Sequence, residues 1–303
     1  MAKKIFFLGF ALLLAVGIVA PKMASALTLT PTSREVSLTA GQKTATTITL
    51  KNETDKAVSL TTEVVNFTAK GETGEPSFDF NATPTDIATW IEVDKGPITL
   101  QPAETMEVEV VFNTPSDATA GGHYGAVFFN EYIAGQATGQ VNIESKLGTL
   151  FLATVKGDYQ ESGAIASFAT ADGKNGYGKG PIGFAVRFQN TGAIHLKPTG
   201  SIVIKNMFGK VVKTIPVNTD GGATLPHSIR EYTIADWNDI GSGYGQYKAT
   251  LTLTSGTVTD TATISFWIMS TTWLMVVIAV IIVLALILLM MSQRATKRMP
   301  MQQ

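Results

Sequence analysis

The fold class follows from residues 244–266, which read YGQYKATLTLTSGTVTDTATISF. Two runs in this segment alternate strictly between apolar and polar residues. The apolar positions are Tyr247, Ala249, Leu251 and Leu253 in the first run and Ala262, Ile264 and Phe266 in the second, with Lys, Thr and Ser between them. A period of two with one polar face predicts antiparallel strands that are packed on one side only.

The same alternation recurs at 106–112 and 184–188, and the strand-favouring residues Thr and Val dominate the region. Clusters of Gly, Pro, Asn and Asp, as at 83–86 and 206–209, separate the runs. No helical periodicity of any length lies between the two terminal apolar segments. Many short strands separated by turns predict an all-β chain built as antiparallel sandwiches.

Three features occur twice in the same order, which predicts two copies of one immunoglobulin-like sandwich. A strand ending in an Asn turn, a Leu-Pro pair and a Gly-x-Tyr-x-Ala element follow one another in each copy. They lie at 47–54, 100–102 and 122–126, and again at 184–192, 225–226 and 245–249. The first domain is predicted at 27–157 and the second at 158–267, with the boundary near Gly157.

The Gly-x-Tyr-x-Ala element predicts a tyrosine corner in each copy. In immunoglobulin-type sandwiches, a Tyr two residues before the second core Cys bonds back to the backbone. Ala126 and Ala249 occupy the Cys positions here, which is consistent with a variant that has no disulfide. We therefore expect the hydroxyl groups of Tyr124 and Tyr247 to bond to nearby backbone.

The two ends of the chain carry membrane signals. Lys3 and Lys4 precede an apolar run, and Ala24-Ser25-Ala26 follows it, as in a secretory signal peptide at 1–26. A second apolar run predicts a transmembrane helix at 268–292. Trp273 lies at its outer edge and a basic cytoplasmic tail at 293–303 follows it. These features predict a single-pass protein of a bacterial cell surface, with its N-terminal part outside.

Composition argues against several functions. The net charge of −1 gives no reason to expect a nucleic-acid partner, and the chain has no Cys, so it has neither disulfides nor thiol chemistry. His123, His195 and His227 form no catalytic or metal-binding spacing and are interpreted as surface or loop residues. The nearby Asp79, Asp86, Glu92 and Asp94 are interpreted as a solvated face. We expect no enzyme, no cofactor and no metal.

Two tryptophans have different expected environments. Trp90 lies in a short alternating run at 88–93, which is interpreted as a strand with Trp90 in the core; an exposed sugar-binding Trp is the alternative. Trp237 is flanked by Asp236 and Asn238, and these polar neighbours favour an exposed side chain.

The order of elements resembles the WxL-interacting surface proteins of Gram-positive bacteria. The matching residues are Leu27-Thr28-Leu29-Thr30-Pro31, Asn52, 100–102, 115–117 and 122–126 in the first unit, and 188–192, His195, Pro198, 200–206, Gly209, 225–226 and 245–247 in the second. The C-terminal anchor matches too. The resemblance implies peptidoglycan binding by the first domain and partner binding by the second, but it assigns no binding residues. The sandwich pattern is also similar to that of PapD-type pilus chaperones, which lack the anchor.

These features predict a membrane-anchored binding or adhesion protein whose partner is peptidoglycan or a secreted surface protein. The alternative is an assembly chaperone for secreted surface subunits that acts through an exposed sheet edge. The connection from Gly71 to Ala88 is rich in Gly, Pro, Asn and Thr and is predicted to be a loop free to reach a ligand. Phe78 and Phe80 are its expected partner-binding anchors, or else they cover the end of the sandwich.

The signal pattern makes a prediction about the mature chain. Cleavage after Ala26 should leave Leu27 as the N-terminal residue, because the small residues at 24 and 26 suit the signal peptidase. N-terminal sequencing of the protein purified from membranes checks this. Retention of Met1 would contradict it and would point to an uncleaved N-terminal anchor.

Overall fold

The computed structural model describes residues 26–131, 146–240 and 243–296, with side chains described to Ser292 except at 271–272. The predicted signal peptide, apart from Ala26, and the tail beyond 296 lie outside these ranges. Ten strands and one short helix form the N-terminal part. They are β1 (Leu27–Thr30), β2 (Ser33–Leu38), β3 (Lys43–Asn52), β4 (Val58–Lys70), β5 (Glu75–Phe78), α1 (Asp86–Trp90), β6 (Ile91–Val93), β7 (Ile98–Leu100), β8 (Thr105–Asn113), β9 (Gly121–Glu131) and β10 (Lys146–Val155).

These strands form a sandwich of two sheets, which we call the N-terminal sandwich. One sheet has the order β1-β3-β8-β6, and the other has the order β2-β10-β9-β4-β5 with β7 beside β4. Alternate residues of facing strands meet in the core, where the rings of Phe112 and Phe151 lie 5.1 Å apart. Val108, Val110 and Phe112 are buried as their alternation predicts.

The first strand of the chain changes sheets. β1 pairs antiparallel with β3 in one sheet, whereas β2 pairs parallel with β10 in the other. The first residue of β10 that has a partner in β2 is Leu150, opposite Ser33. Among the described residues, those at 146–149 of β10 therefore pair as a strand only with β9, although the Thr149 hydroxyl donates to the Pro31 carbonyl at 2.7 Å.

A second sandwich follows, which we call the C-terminal sandwich. Its sheets have the orders β11-β13-β16 and β12-β18-β17-β14-β15. The strands are β11 (Gly163–Thr170), β12 (Gly176–Tyr177), β13 (Phe184–Asn190), β14 (Thr199–Lys205), β15 (Val211–Val217), β16 (Ile229–Thr233), β17 (Tyr244–Ser255) and β18 (Val258–Met269). The apolar positions of the 247–253 run are all buried, as predicted. The chain is therefore all-β, with two immunoglobulin-like sandwiches.

A single long helix, α2 (Thr271–Thr296), continues directly from β18. Its residues Trp273–Ser292 are long and apolar enough, by length and composition, to cross a membrane. The helix begins later than the sequence suggested. Residues up to Met269 are still held in the sheet, where Met269 pairs with Tyr244.

Three local expectations are wrong. Of the strand predicted at 88–93, residues 88–90 belong to α1 and only 91–93 form a strand, β6, although Trp90 is buried as predicted. Trp237 is only 2% exposed, because backbone hydrogen bonds with Ile182 turn its indole toward Tyr247. The connection from Gly71 to Ala88 is partly regular, since β5 pairs with β4 in a hairpin.

The internal repeat has a structural counterpart in two buried asparagines. The amide nitrogen of Asn52 donates to the carbonyls of Lys56, Leu100 and Gln101 at 2.7, 3.2 and 3.1 Å. In the C-terminal sandwich, Asn190 donates to the carbonyls of Ile194 and Thr224, both at 2.8 Å. Each side-chain oxygen also accepts the N–H two residues later, from Thr54 and Gly192 respectively. Each Asn thus connects, by hydrogen bonds, the turn that follows its strand to the segment that contains the repeated Leu.

Replacing either asparagine should destabilise its sandwich. Asn52→Ala and Asn190→Ala leave buried carbonyl groups without a donor, and we expect each to cost about 2 kcal/mol in free energy of unfolding. Asn81→Ala, at an exposed position, is the control and should cost less than about 0.5 kcal/mol. Chemical denaturation of the purified chain measures all three. Equal stability of the Asn52 or Asn190 variant and the control would contradict the proposed tie.

Candidate functional site

The second sheet of the N-terminal sandwich has apolar side chains on both faces. Val127, Phe129 and Phe151 point into the core, and the residues that alternate with them point outward. Those outward residues form a separate apolar cluster, which we call the outer face: Val65, Phe67, Ala126, Phe128, Leu150 and Leu152. A sandwich usually presents polar residues on this side, so the outer face needs a cover.

Two segments cover part of the outer face. Ala223 and Leu225 of the C-terminal sandwich pack on it from one side. From the other side, the rings of Phe78 and Phe80 lie 4.9 and 5.2 Å from that of Phe128. Phe78 and Phe80 thus lie on the outer face and not at the end of the sandwich. Their role in partner binding stays a prediction.

A groove of about 300 Å³ runs between the two sandwiches at the edge of this cover. Phe67, Leu150 and Leu152 form its apolar wall, and the segment 220–230 forms the opposite wall. Arg230 lies in that second wall and donates from Nη1 to the carbonyl of Ala223 at 2.8 Å. Its buried Nε–H has no partner among the described residues. The groove therefore combines one apolar wall with a second wall that carries both Arg230 and Asp220.

Polar contacts hold the two sandwiches together beside the groove. Nε of Arg187 donates to Glu72 at 2.6 Å, and Nη2 of the same guanidinium forms a second bond to that carboxylate. The N–H of Gly122 donates to the carbonyl of Ala193 at 2.8 Å. A bidentate Arg–carboxylate pair fixes direction as well as distance. The groove is thus bounded by two bodies that are tied to each other.

The unpaired edge of β10 adjoins the outer face. Backbone groups of even-numbered residues point toward β2, as the hydrogen bond from the Leu150 N–H to the Thr32 carbonyl at 2.9 Å demonstrates. By alternation, the backbone groups of Lys146 and Gly148 point the same way, where β2 no longer runs. We call residues 146–149 the free edge.

Glycine at position 148 matters for this edge. A Cβ atom at Gly148 would lie 2.6 Å from Cδ1 of Phe128, so the Phe128 ring extends over this glycine. A glycine within a strand is typical of places where another backbone or a ligand approaches closely. An incoming side chain above Gly148 would meet the Phe128 ring.

The tyrosine corner predicted for Tyr124 is wrong. Its hydroxyl lies 3.3 Å from Nδ1 of His195, which belongs to the other sandwich. Tyr124 lies on the outward-facing row of β9, so its side chain points toward the C-terminal sandwich instead of a corner. Burial raises the pKa of this phenol above its usual range. Tyr247 is a buried core residue whose ring stacks on that of Phe266.

Of the three histidines interpreted as surface or loop residues, His195 and His227 do lie in loops and His227 is exposed, whereas His123 is buried in β9. His195 is buried between Tyr124 and Glu35, and burial lowers the pKa of its imidazole. His123 is 7% exposed and makes two short polar contacts. Its Nδ1 lies 2.7 Å from Oδ1 of Asp86, and its Nε2 lies 2.9 Å from the carbonyl oxygen of Thr119.

The contacts of His123 favour its charged form. Burial alone would lower the pKa of the imidazole, but Asp86 and the Thr119 carbonyl raise it, and the net pKa lies above the ordinary value. Both neighbours accept hydrogen bonds, so only the imidazolium donates to both. The ring also packs on Trp90, with centroids 4.7 Å apart. This arrangement stabilises α1 and performs no evident chemistry.

In the described ranges, no three His, Asp or Glu side chains are grouped to hold a metal ion. The four carboxylates interpreted as a solvated face are all exposed, and Asp86 in addition contacts His123. The candidate site that the structure brings together consists of the outer face, the groove and the free edge.

Sequence analysis missed Arg230, Leu150 and Leu152 as site residues. A signal was available for the two leucines, because Leu150-Phe151-Leu152-Ala153 and Ala126-Val127-Phe128-Phe129 are continuous apolar runs. Such runs are typical of strands that are covered on both faces. No comparable signal marks Arg230, whose position depends on how the two sandwiches pack.

No protein-family model matches the sequence, and a comparison with curated proteins also found no match. Solved structures do match. The class 5 fimbriae chaperone CfaA is 9% identical with a TM-score of 0.42, covering 80% of this chain and 98% of that one. The E. coli chaperone DraB is 12% identical with a TM-score of 0.38, covering 80% and 97%. The Pseudomonas aeruginosa CupB2 chaperone is 12% identical with a TM-score of 0.35, covering 79% and 100%. Likeness at this level carries no argument about the function of this chain.

The His123 contacts predict a pH dependence of stability. The pKa of His123 is raised on folding, so its contribution is fully present below the unfolded pKa and is lost as pH rises through the folded pKa. We expect Asp86→Asn to reduce stability more at pH 6 than at pH 9. Asn tolerates the positive φ of 45° at this position, so the backbone is preserved. Denaturation curves at both pH values test this, and an equal loss at the two would contradict it.

Proposed function

We propose that this chain is a membrane-anchored binding protein of the cell surface that captures an extended segment of a secreted surface polypeptide at the free edge of β10. This proposal favours the chaperone-like alternative over adhesion to a flat surface. The observation that supports it is the free edge itself: no described strand pairs with the backbone groups of Lys146 and Gly148 on that side, and the nearby Leu150 lines the apolar groove. Open strand edges are templates for the addition of a further strand.

The outer face supports selectivity for apolar segments. In an added strand, alternate side chains point to the same face of the sheet. Those on the outer face would meet Phe128 above Gly148, and further along the groove they would meet Leu150 and Leu152. The backbone edge thus supplies affinity for an extended chain, and the apolar wall selects which side chains it carries.

Anchoring to a membrane is part of the same proposal. α2 is long and apolar enough to cross a bilayer, and the basic residues at its C-terminal end favour a cytoplasmic tail. That orientation places both sandwiches outside the cell. The resemblance to WxL-interacting proteins suggests a Gram-positive surface and a secreted partner. Peptidoglycan binding rests on that resemblance alone.

Proline at position 146 provides a selective test. Lys146 is the first residue of β10, and its N–H points to the free edge, so Lys146→Pro should remove a donor without breaking a hydrogen bond to any described residue. Lys146→Ala is the matched control, because it removes the same side-chain contacts with Glu63 and Phe80 but keeps the N–H. We expect Lys146→Pro alone to reduce partner recovery about tenfold.

The measurement is recovery of secreted proteins that co-purify with the C-terminally tagged full chain from cross-linked cells, together with melting of each variant. Equal recovery with both variants would contradict strand addition at this edge. Phe78→Ala with Phe80→Ala, in a chain that melts normally, tests the predicted anchors in the same assay. Sedimentation with purified cell wall tests the alternative that the chain binds peptidoglycan. Cell-wall binding that none of these substitutions changes would favour that alternative.

A further inference from the structure

The turn between β14 and β15 has an apolar tip. Phe208 is 84% exposed and Met207 is 56% exposed, where turns usually carry polar residues. The turn is well ordered, because the side-chain oxygen of Asn206 accepts the N–H groups of Phe208 and Lys210, both at 3.0 Å. The two apolar side chains are therefore held outward by the turn's own hydrogen bonds.

This turn lies at the end of the sandwich from which α2 emerges. β14 and β18 both run antiparallel to β17, so they run in the same direction. Lys205 pairs with Lys248, which in turn pairs with Ser265. Phe208 lies three residues after Lys205, and Ile268 lies three residues after Ser265. Phe208 is therefore level with Ile268, just before the chain enters the helix.

Side-chain contacts connect the turn to the start of the helix. A Cβ atom at Gly245 would lie 2.5 Å from Sδ of Met207, so Met207 packs against that strand. The adjacent Tyr244 ring lies 5.6 Å from the ring of Trp273. Trp267 and Met269 are exposed on the same end of β18. We call these six side chains the membrane-end patch: Met207, Phe208, Tyr244, Trp267, Met269 and Trp273.

Lysines adjoin the patch. Lys205 and Lys248 lie directly opposite each other on neighbouring strands, and Lys210 ends the turn. None of the three forms a salt bridge within the part of the chain that the structure describes. Like charges opposite each other in a sheet are destabilising, and an anionic surface beside them removes that cost.

We propose that the membrane-end patch contacts the anionic lipid headgroup layer of the bilayer that α2 crosses, so that the C-terminal sandwich has a second, peripheral attachment to the membrane. This inference rests on the proposed membrane anchoring. Trp and Tyr favour the interface between hydrocarbon and water, and exposed Phe and Met insert into it. The three lysines lie where they can meet lipid phosphates.

The geometry also sets an orientation. Strand and helix rises of about 3.3 and 1.5 Å per residue place the Phe208 backbone about 11 Å above the level of Trp273. The headgroup layer is about 5–8 Å deep on each side of the bilayer. Contact therefore requires the sandwich to lean toward its β14–β15 side. The helix and the turn together would fix this tilt of the sandwich, whereas a single flexible anchor could not fix it.

Spin labelling of the full chain tests the contact, and the absence of Cys makes single-Cys variants direct. Phe208→Cys, Thr219→Cys and Leu284→Cys are each labelled and reconstituted into phosphatidylcholine vesicles with one quarter phosphatidylglycerol. Thr219 follows β15 at the far end of the sandwich, and Leu284 lies within α2. Accessibility to a water-soluble nickel chelate should be at least about threefold lower at 208 than at 219, as for interfacial insertion. Label at Lys210→Cys, with Phe208 intact, should show the same protection.

The outcomes separate this inference from the membrane anchor. If position 284 is protected but 208 and 210 are as accessible as 219, the anchor stands and the peripheral contact is overturned. If 284 is itself accessible, the anchor fails. Greater protection in vesicles that contain phosphatidylglycerol than in pure phosphatidylcholine supports the role of the lysines.

Discussion

The architecture depends on the need to cover the apolar outer face of the second N-terminal sheet. The sheet buries one set of side chains in its own core and presents another, around Phe67 and Phe128, to the outside. Exposed apolar area on this scale is unfavourable in water. The C-terminal sandwich covers one part, and the polar ties from Glu72 and Gly122 follow from that packing. The part of the outer face that stays uncovered, together with the adjoining free edge of β10, is the candidate binding surface.

The strand change between β1 and β2 explains why that edge is free. A strand that leaves one sheet for the other cannot pair along the full length of β10, so β2 does not pair with residues 146–149, and no other strand in the described ranges pairs with that edge. The free edge is short, and the charge of Lys146 beside it is a common protection against aggregation. A partner strand therefore needs both the backbone row and the apolar groove to bind well.

Sequence alternation predicted the all-β class and most core positions, because the period of two is set locally by the backbone. The Asn repeat was visible too, although its meaning as a tie to the Leu-Pro segment required the structure. Trp237 was misjudged from its polar neighbours, since its burial depends on a bridge to Ile182, far away in sequence. The free edge and Arg230 depend on register and on packing between sandwiches. No local pattern encodes either of these.

The continuity of β18 with α2 has a mechanical consequence. With α2 held in the bilayer as proposed, a pull on a captured partner reaches the membrane through β18. That strand pairs with β17 from Val258 to Met269 along its whole length. Tension along the strand loads these antiparallel pairs together, in shear, instead of peeling them apart one by one. A sandwich with no disulfide can thus transmit force between a surface assembly and the membrane. The strand that bears the greatest load, β18, belongs to the longest ladder of paired residues in the described structure.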